Sequence, residues 1–514
     1  MWLSTLFGLM AFAGFMFAQG GIAAADGGAA ASEAIGAAAA ASGDVPITSR
    51  LMSLMGLFFM MGCAWIMSTH RKKLEWRVII FGLGLQFLFG VLALKTDAGA
   101  AFFAGVKDAA NTLIGFTVEG SKMLFADVTF KGYVAFVVLP TIIFFSSLMS
   151  VLYHLGIMQR VVGGLAWVMR RTLRTSGAES LSAAGNIFVG QTEAPLLVRP
   201  YVDKMTQSEL MAVMVGGFAT VAGGVFAAYV GMLSAYFPDI AGHLLTASIM
   251  SAPAALVIAK LMVPETEVPE TAGGTAKAGK ADTTNMIDAA ARGAGDGLTL
   301  ALNVGAMLLA FIALVAMVNY LFAMPSYIQH GGVLEDALAY ISNSNISVDA
   351  GLLKSCDPDQ IPWKDAAGCV GKLQAAIGAS SPDFNDNLWE VFTLNRLFGY
   401  LFYPFAYVMG VEGQDCMQVG QLLGTKMVLN EFVAYGDLSA MLKTSADALS
   451  PRSITIVTYA LCGFANFGSI AIQIGGIGSI APGRRADLAK LGVRAMFGGT
   501  LAAFMTACVA GILV

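Results

Sequence analysis

Gly190-Gln191-Thr192-Glu193-Ala194-Pro195 and Leu429-Asn430-Glu431-Phe432-Val433-Ala434-Tyr435 are the two stretches on which the reading of this sequence turns. Each sets a carboxylate among amides and hydroxyls inside an otherwise apolar chain. Neither has enough uncharged sequence between its polar flanks to cross a bilayer, which takes about 20 helical residues. Each is therefore expected to enter the membrane and turn back as a re-entrant hairpin. A glycine-interrupted apolar helix follows each one, and those helices share a repeated tetrapeptide, Gly217-Phe218-Ala219-Thr220 and Gly463-Phe464-Ala465-Asn466.

Outward from these stretches, the 514 residues are 57% hydrophobic and only 12% charged, and mean hydropathy is +0.70. A soluble domain carries roughly a quarter of its residues charged, so the composition requires a membrane. Uncharged apolar runs begin near Leu51, Val78, Tyr133, Leu210, Leu244, Leu298, Ser453 and Ala495, giving eight expected core spans. The fold class is thus an all-α polytopic membrane protein with two re-entrant hairpins. Net charge is −4, and no basic stripe with interleaved aromatics offers a nucleic-acid surface. Lys and Arg clusters mark cytoplasmic loops: Arg71 to Lys73, Arg170, Arg171 and Arg174, Lys277 and Lys280, Arg484 and Arg485. By that rule the first hairpin starts from the cytoplasm and the second from outside. The two halves are inverted repeats, an architecture of many secondary transporters.

The expected organisation is as follows. Residues 1–50 form a signal peptide or an extra N-terminal span with an Ala/Gly-rich external segment, and 51–154 form N-terminal scaffold helices. Residues 155–263 make the first half of a transport domain, with a hairpin over about 179–200 and a broken helix over about 208–236. A flexible cytoplasmic linker, 264–284, leads to the sixth core span, 285–324, and an external insertion, 325–387. Residues 388–514 hold an external helix, the second hairpin at about 418–440, a broken helix over 453–480 and the last span. Of the six cysteines, Cys63, Cys416, Cys462 and Cys508 read as small apolar residues. Cys356 and Cys369 share the external insertion and are the candidates for a disulfide, which would contribute roughly 3 kcal/mol.

Glu193 and Glu431 carry the chemistry. A carboxylate at membrane depth costs at least about 2.5 kcal/mol, so intramembrane carboxylates are functional candidates; the plainer alternative is that hairpin backbone, Lys426 or Arg199 satisfies them. Around them stand Asn186, Gln191, Thr192, Thr220, Asn430, Asn466 and Ser469, polar groups that must bond to one another or to a ligand. A nucleoside fits this inventory: a carboxylate accepts from two vicinal ribose hydroxyls, and amides donate to and accept from a base edge. A hard cation fits too, with Asn186 and Thr220 beside unwound carbonyls. Gly293-Ala294-Gly295-Asp296-Gly297 has the wrong spacing for a dinucleotide loop. His70, His154, His243 and His330 stand apart, which gives a metal site no support. Two rival classes remain, an intramembrane hydrolase using Glu193 and Glu431 as acid and base, and a gated channel for small polar solutes.

The run Gly185-Asn186-Ile187-Phe188-Val189-Gly190-Gln191-Thr192-Glu193-Ala194-Pro195-Leu196 resembles the concentrative nucleoside transporter family, as do Asn430-Glu431-Phe432-Val433-Ala434-Tyr435 and Gly463-Phe464-Ala465-Asn466-Phe467. Ile287-Asp288-Ala289-Ala290-Ala291 with Gly295-Asp296-Gly297 adds to the likeness, which runs from about residue 51 to the end. The resemblance implies a homotrimer in the cytoplasmic (inner) membrane, each protomer pairing a scaffold with an elevator-like transport domain. It implies nucleobase contacts from Gln191, Thr192 and Glu193, ribose contacts from Glu431, Asn466 and Ser469, and a pocket shaped by Val225 and Phe464. It also implies a sodium site made by the Asn186 and Thr220 side chains with the Val189 and Val221 carbonyls. Sodium is then the expected coupling ion, with protons as the alternative, and no organic cofactor is implied. Glycine at position 190 leaves room for a purine, so the base stays open.

Overall fold

The computed structural model describes residues 46–125, 134–274, 276, 283–329, 351, 354, 394–445 and 448–514. The chain opens with α1 (Ile47–Ile66), α2 (Trp76–Leu94), α3 (Asp97–Phe125), α4 (Val134–His154) and α5 (Ile157–Leu173). The first hairpin consists of α6 (Gly177–Gly185), a turn over residues 186–193, and the one-turn helices α7 (Ala194–Leu197) and α8 (Arg199–Val202). A broken helix follows, α9 (Gln207–Ala219) and α10 (Gly223–Leu233), then α11 (Ile240–Met262), α12 (Met286–Gln329) and α13 (Leu394–Val408). The second hairpin is α14 (Cys416–Val428) and α15 (Glu431–Thr444); the second broken helix is α16 (Pro451–Leu461) and α17 (Phe467–Ile480); α18 (Arg485–Leu513) ends the chain. No strand occurs among the described residues.

Two compact units are present: residues up to Leu308 with Phe398–Val514, and Leu309–Leu397. Within the second, the Leu394 N–H donates to Asn319 Oδ1 at 2.8 Å. The signal-peptide or extra-span reading of residues 1–20 and the Cys356–Cys369 pair lie outside the described residues, as does most of the external insertion.

Among the described residues, Ile47–Ile66, Trp76–Leu94, Ile240–Met262 and Pro482–Leu513 are unbroken helical stretches long and apolar enough to cross a membrane. The runs near Leu210 and Ser453 are each split in two, because Thr220 and Ala222 in one, and Cys462 and Asn466 in the other, adopt extended backbone. The run near Tyr133 becomes α4, which carries Pro140 and meets α5 at a 78° bend. Burial separates the unbroken spans: 89% and 83% of the apolar windows of α11 and α18 are buried against 28% and 33% for α1 and α2. The first pair therefore makes the centre, and the second presents Leu51, Phe58, Trp76 and Ile80 outward. Small residues allow the close approaches, as in other membrane bundles: a Cβ at Gly499 would lie 2.3 Å from Phe218 Cβ, and one at Gly56 would lie 2.0 Å from the Val408 carbonyl oxygen.

The segment expected to be a flexible linker is docked over its described length. The Thr271 carbonyl and hydroxyl accept from the Gly177 and Ala178 N–H groups at 3.2 and 3.1 Å, closing the N-terminus of α6. Glu265 Oε2 accepts from the Thr206 hydroxyl at 2.8 Å, and Glu270 pairs with Lys204 at 3.1 Å. Beneath lies buried Lys260, paired with Glu179 and bonded to Ser208 Oγ at 2.9 Å. Glu179 and Glu209 are also the third residues of capping boxes started by Ser176 and Thr206, so helix starts and ion pair share carboxylates. These partners are distant in sequence, and the composition of the segment carries no mark of them.

The two helix breaks touch at Gly463, which has φ +111°. A Cβ there would stand 2.7 Å from the Phe218 carbonyl oxygen. Gly463→Ala combines a backbone conformation costing about 1–3 kcal/mol for other residues with that clash. It is expected to lower the melting temperature in detergent clearly, whereas Gly475→Ala, where a Cβ meets nothing within 4 Å, changes it little; equal melting of the two variants would contradict the contact.

Candidate functional site

Both hairpin tips, the second helix break and the two halves of the first broken helix converge on one chain of hydrogen bonds. Asn430 starts α15 by accepting from the Val433 N–H through Oδ1 at 2.9 Å, and this fixes Glu431 in the first turn. Buried Glu431 accepts from the Tyr229 hydroxyl at 2.9 Å through Oε1 and from Asn466 Nδ2 at 3.1 Å through Oε2. Asn466 is itself the cap of α17, its Oδ1 accepting from the Ser469 N–H at 2.8 Å. The cap holds the carbonyl, so the NH2 group is left facing the carboxylate. Gln191, on the first hairpin's turn, donates to Ser469 Oγ at 3.0 Å. Gln473 Nε2 then donates both to Gln191 Oε1 and to the Met214 carbonyl, each at 3.1 Å.

The remaining expected ligands surround this chain. Thr192 packs on α17, where a Cβ at Gly476 would lie 3.2 Å from its methyl group. Val225 is buried on α10, and Phe464 is half-buried in the second break. Glu193 stands apart: it is exposed on the first hairpin's turn, where its Oε2 accepts from the Gly190 N–H. Among the described residues its carboxylate is not bonded to Gln191, Glu431 or Asn466.

Asn186 ends α6 with its side chain fully buried, and neither Oδ1 nor Nδ2 has a hydrogen-bond partner. Such a group costs about 1–3 kcal/mol unless something else fills its coordination. Its amide lies beside Gly216, where a Cβ would be 3.1 Å from Nδ2. Thr220 donates to the carbonyl of that same glycine at 2.9 Å. The first hairpin's turn and the first break are tied by the Gly223 N–H donating to the Phe188 carbonyl at 3.1 Å, with Val189 next to Phe188 in the chain and Val221 two residues before Gly223. Four oxygen donors, two side-chain and two backbone, therefore belong to one turn and one break, a donor set that suits a hard monovalent cation. No cluster of His, Cys, Asp and Glu able to hold a metal occurs among the described residues.

Three residues have partners here that the sequence reading did not assign to them. Lys426, read there as a partner for Glu431, is buried and donates instead to the carbonyls of Ala460 and Cys462 at 2.8 and 3.3 Å. It thus supplies a cation to the C-terminal end of α16, where the helix dipole favours one. Tyr229, buried against Tyr435 with ring centroids 4.5 Å apart, has no local signal in an apolar helix. Gln473 did have one, because Asn466, Ser469 and Gln473 at i, i+3 and i+7 make a polar stripe on one helical face.

Such a fold, a helical bundle with two hairpins and two broken helices meeting at a polar centre, is that of a polytopic membrane transporter. Residues 55–128 match the model described as Na+ dependent nucleoside transporter N-terminus, 243–346 and 370–511 the corresponding C-terminus, and 135–236 the model described as nucleoside recognition. The chain is 38% identical over 478 residues to an uncharacterized transporter of Haemophilus influenzae, covering 91% of this chain and 98% of that one. It is 39% identical to mouse solute carrier family 28 member 3 over 90% of its own length, spanning 59% of that relative. It is 36% identical to rat sodium/nucleoside cotransporter 2 over 90% of its own length and 63% of the relative's. The structure of CNTnw in an inward-facing substrate-bound state superposes with a TM-score of 0.72 at 38% identity, covering 90% of this chain and 98% of that one. This chain belongs to the Na+-dependent nucleoside transporter family, a family of transporters and not of enzymes.

Loss of Lys426 leaves two carbonyls without a donor in an apolar setting, and hydrogen bonds from a charged group contribute about 1.5–3 kcal/mol each. Lys426→Met is expected to melt well below the parent protein in detergent, with Lys443→Met, at an exposed position, as control. A melting temperature equal to that of the control would remove Lys426 from the break.

Proposed function

We propose that this chain is a sodium-coupled symporter that carries nucleosides across the cytoplasmic membrane into the cell. The observation that supports it best is the juxtaposition, on the turn 186–193, of an orphaned buried amide at Asn186 and the polar run Gln191-Thr192-Glu193. On this reading Gln191, Thr192 and Glu193 meet the base, Glu431, Asn466 and Ser469 the ribose, and Val225 and Phe464 bound the pocket. Sodium sits among Asn186, Val189, Thr220 and Val221. The ion orders the turn that bears the base ligands, so bound sodium favours nucleoside and, by linkage, bound nucleoside favours sodium equally.

Tyr229, Glu431 and Asn466 are already bonded to one another without substrate. A ribose presenting two vicinal hydroxyls can take over the Glu431 oxygens, and Asn466, held by its cap, stays in place to donate to the sugar. Movement is proposed to be of the elevator type: a transport domain built from the hairpins and broken helices travels against a scaffold, in a homotrimer embedded in lipid. The division at residues 51–154, 155–263, 264–284, 285–324, 325–387 and 388–514 belongs to this proposal. A tenfold sodium gradient supplies about 1.4 kcal/mol and one charge crossing 100 mV about 2.3 kcal/mol. One coupled ion could then sustain accumulation of roughly several hundredfold.

The test is uptake of radiolabelled uridine and adenosine into proteoliposomes under an inward sodium or an inward proton gradient. Accumulation is expected with sodium, to be abolished by Glu431→Gln, and to lose its sodium dependence in Asn186→Ala. Accumulation driven by protons alone would retire the sodium ligands, and unchanged sodium dependence in Asn186→Ala would do the same. No uptake under either gradient would overturn the function.

A further inference from the structure

On the side that the charge rule assigns to the exterior, two arginines stand where α1 and α16 begin. Arg452 is 7% exposed. Its Nε donates to the Gly410 carbonyl at 3.1 Å, and its Nη2 donates to the Ser49 carbonyl at 3.2 Å and to Ser53 Oγ at 3.1 Å. Every partner given by the described residues is neutral, and Nη1 is buried with no partner among them. The next residue after Ser49 is Arg50, half-buried, whose Nε is likewise buried and unpartnered. Its charge lies close enough to act on Arg452.

The acidic groups nearby do not neutralise this pair. Glu412 is near enough for its charge to act on Arg452, but among the described residues no carboxylate is within ion-pair distance of either arginine. Asp415 is engaged elsewhere, accepting from the Ser450 N–H at 3.0 Å. Two like charges within reach of one another, each with a buried N–H lacking an acceptor among the described residues, are costly in low dielectric. Water satisfies an orphaned donor but not the repulsion; an anion satisfies both. Guanidinium N–H groups match the geometry of a tetrahedral oxyanion. Around Arg50 the surface of α1 is apolar and exposed, with Ile47 at 75% and Leu51 at 56%, as suits a group at the edge of an acyl layer.

We propose that Arg50 and Arg452 form a phosphate-oxyanion site at the outer end of α1, filled by a phospholipid headgroup or by free phosphate. Neither residue contributes to the polar chain at Glu431, so the site is separate from the substrate centre and independent of the transport reading. The clamp made by Arg452 fastens α16 to α1, and an anion seated there would strengthen it.

The probes are phosphatidylglycerol, with phosphatidylcholine as the neutral-headgroup comparison, and inorganic phosphate against chloride, each titrated into the delipidated protein in detergent with melting temperature as readout. Arg452→Gln removes the clamp as well as the ligand and could simply fail to fold; Arg50→Gln removes a side chain that makes no hydrogen bond among the described residues, and so isolates the ligand. A rise in melting temperature with phosphatidylglycerol, lost in Arg50→Gln, assigns the lipid headgroup. The same pattern with inorganic phosphate assigns the free ion. If neither probe raises the melting temperature beyond its comparison, or Arg50→Gln responds as the parent does, the site does not exist.

Discussion

A bilayer core offers no water to hydrogen-bond a backbone group, so every interruption of a helix within it must be repaired from inside the protein. The rest of this structure follows from that constraint. Breaking one helix at residues 220–222 and another at 462–466, and turning two hairpins near the same depth, frees peptide groups at four places. The repairs come from different elements: Lys426 reaches from the second hairpin to the α16 carbonyls, the Phe188 carbonyl on the first hairpin takes the Gly223 N–H, and Asn466 caps its own helix. The first two of these repairs each draw a hairpin to a break. The polar centre is what those repairs leave behind.

The two halves of the repeat are repaired unequally. In the second half both sides of the break have dedicated side chains, a lysine for the carbonyls and an asparagine for the amides, and Glu431 has a donor on each oxygen. In the first half α10 starts at Ala222 with no side-chain cap, Thr220 spends its hydroxyl proton on its own helix, and Asn186 is buried with both amide atoms idle. The second half is complete without a ligand. On the proposed reading, a cation would give the Asn186 oxygen the partner that the first half does not supply from its own side chains.

Most of this was legible in the sequence because membrane depth makes polar residues conspicuous. Glu193 and Glu431 stood out against apolar flanks, and the repeated Gly-Phe-Ala motif marked the breaks. What stayed hidden was the partner of each group. Lys426 was legible only as one of several groups that could satisfy a nearby carboxylate; the fold gives its ammonium hydrogen bonds to a helix end 34 residues away. Tyr229 is one of many aromatics in an apolar run, and only the approach of the second hairpin makes its hydroxyl a ligand. The strap at residues 264–274 has the composition of a free linker, and its docking depends on Lys260, Glu75 and the N-terminus of α6, none of them recognisable as its partners beforehand.

On the proposed reading, coupling follows from placing ion and base ligands on a single turn. Residues 186–193 are short helical turns closed by bonds such as Phe188 N–H to Gly185 and Glu193 N–H to Gly190, at 3.0 and 3.1 Å. Fixing one backbone residue costs about 1–2 kcal/mol, so a turn of this size need only be loosened over one or two residues to lose the coupling energies usual between sites, about 1–3 kcal/mol. A cation at Asn186 and Val189 holds the turn from one end, and a base at Gln191 and Thr192 holds it from the other. Whichever binds first spares the second that ordering cost. No long-range pathway is required, because the element both ligands bias is the same eight residues of chain.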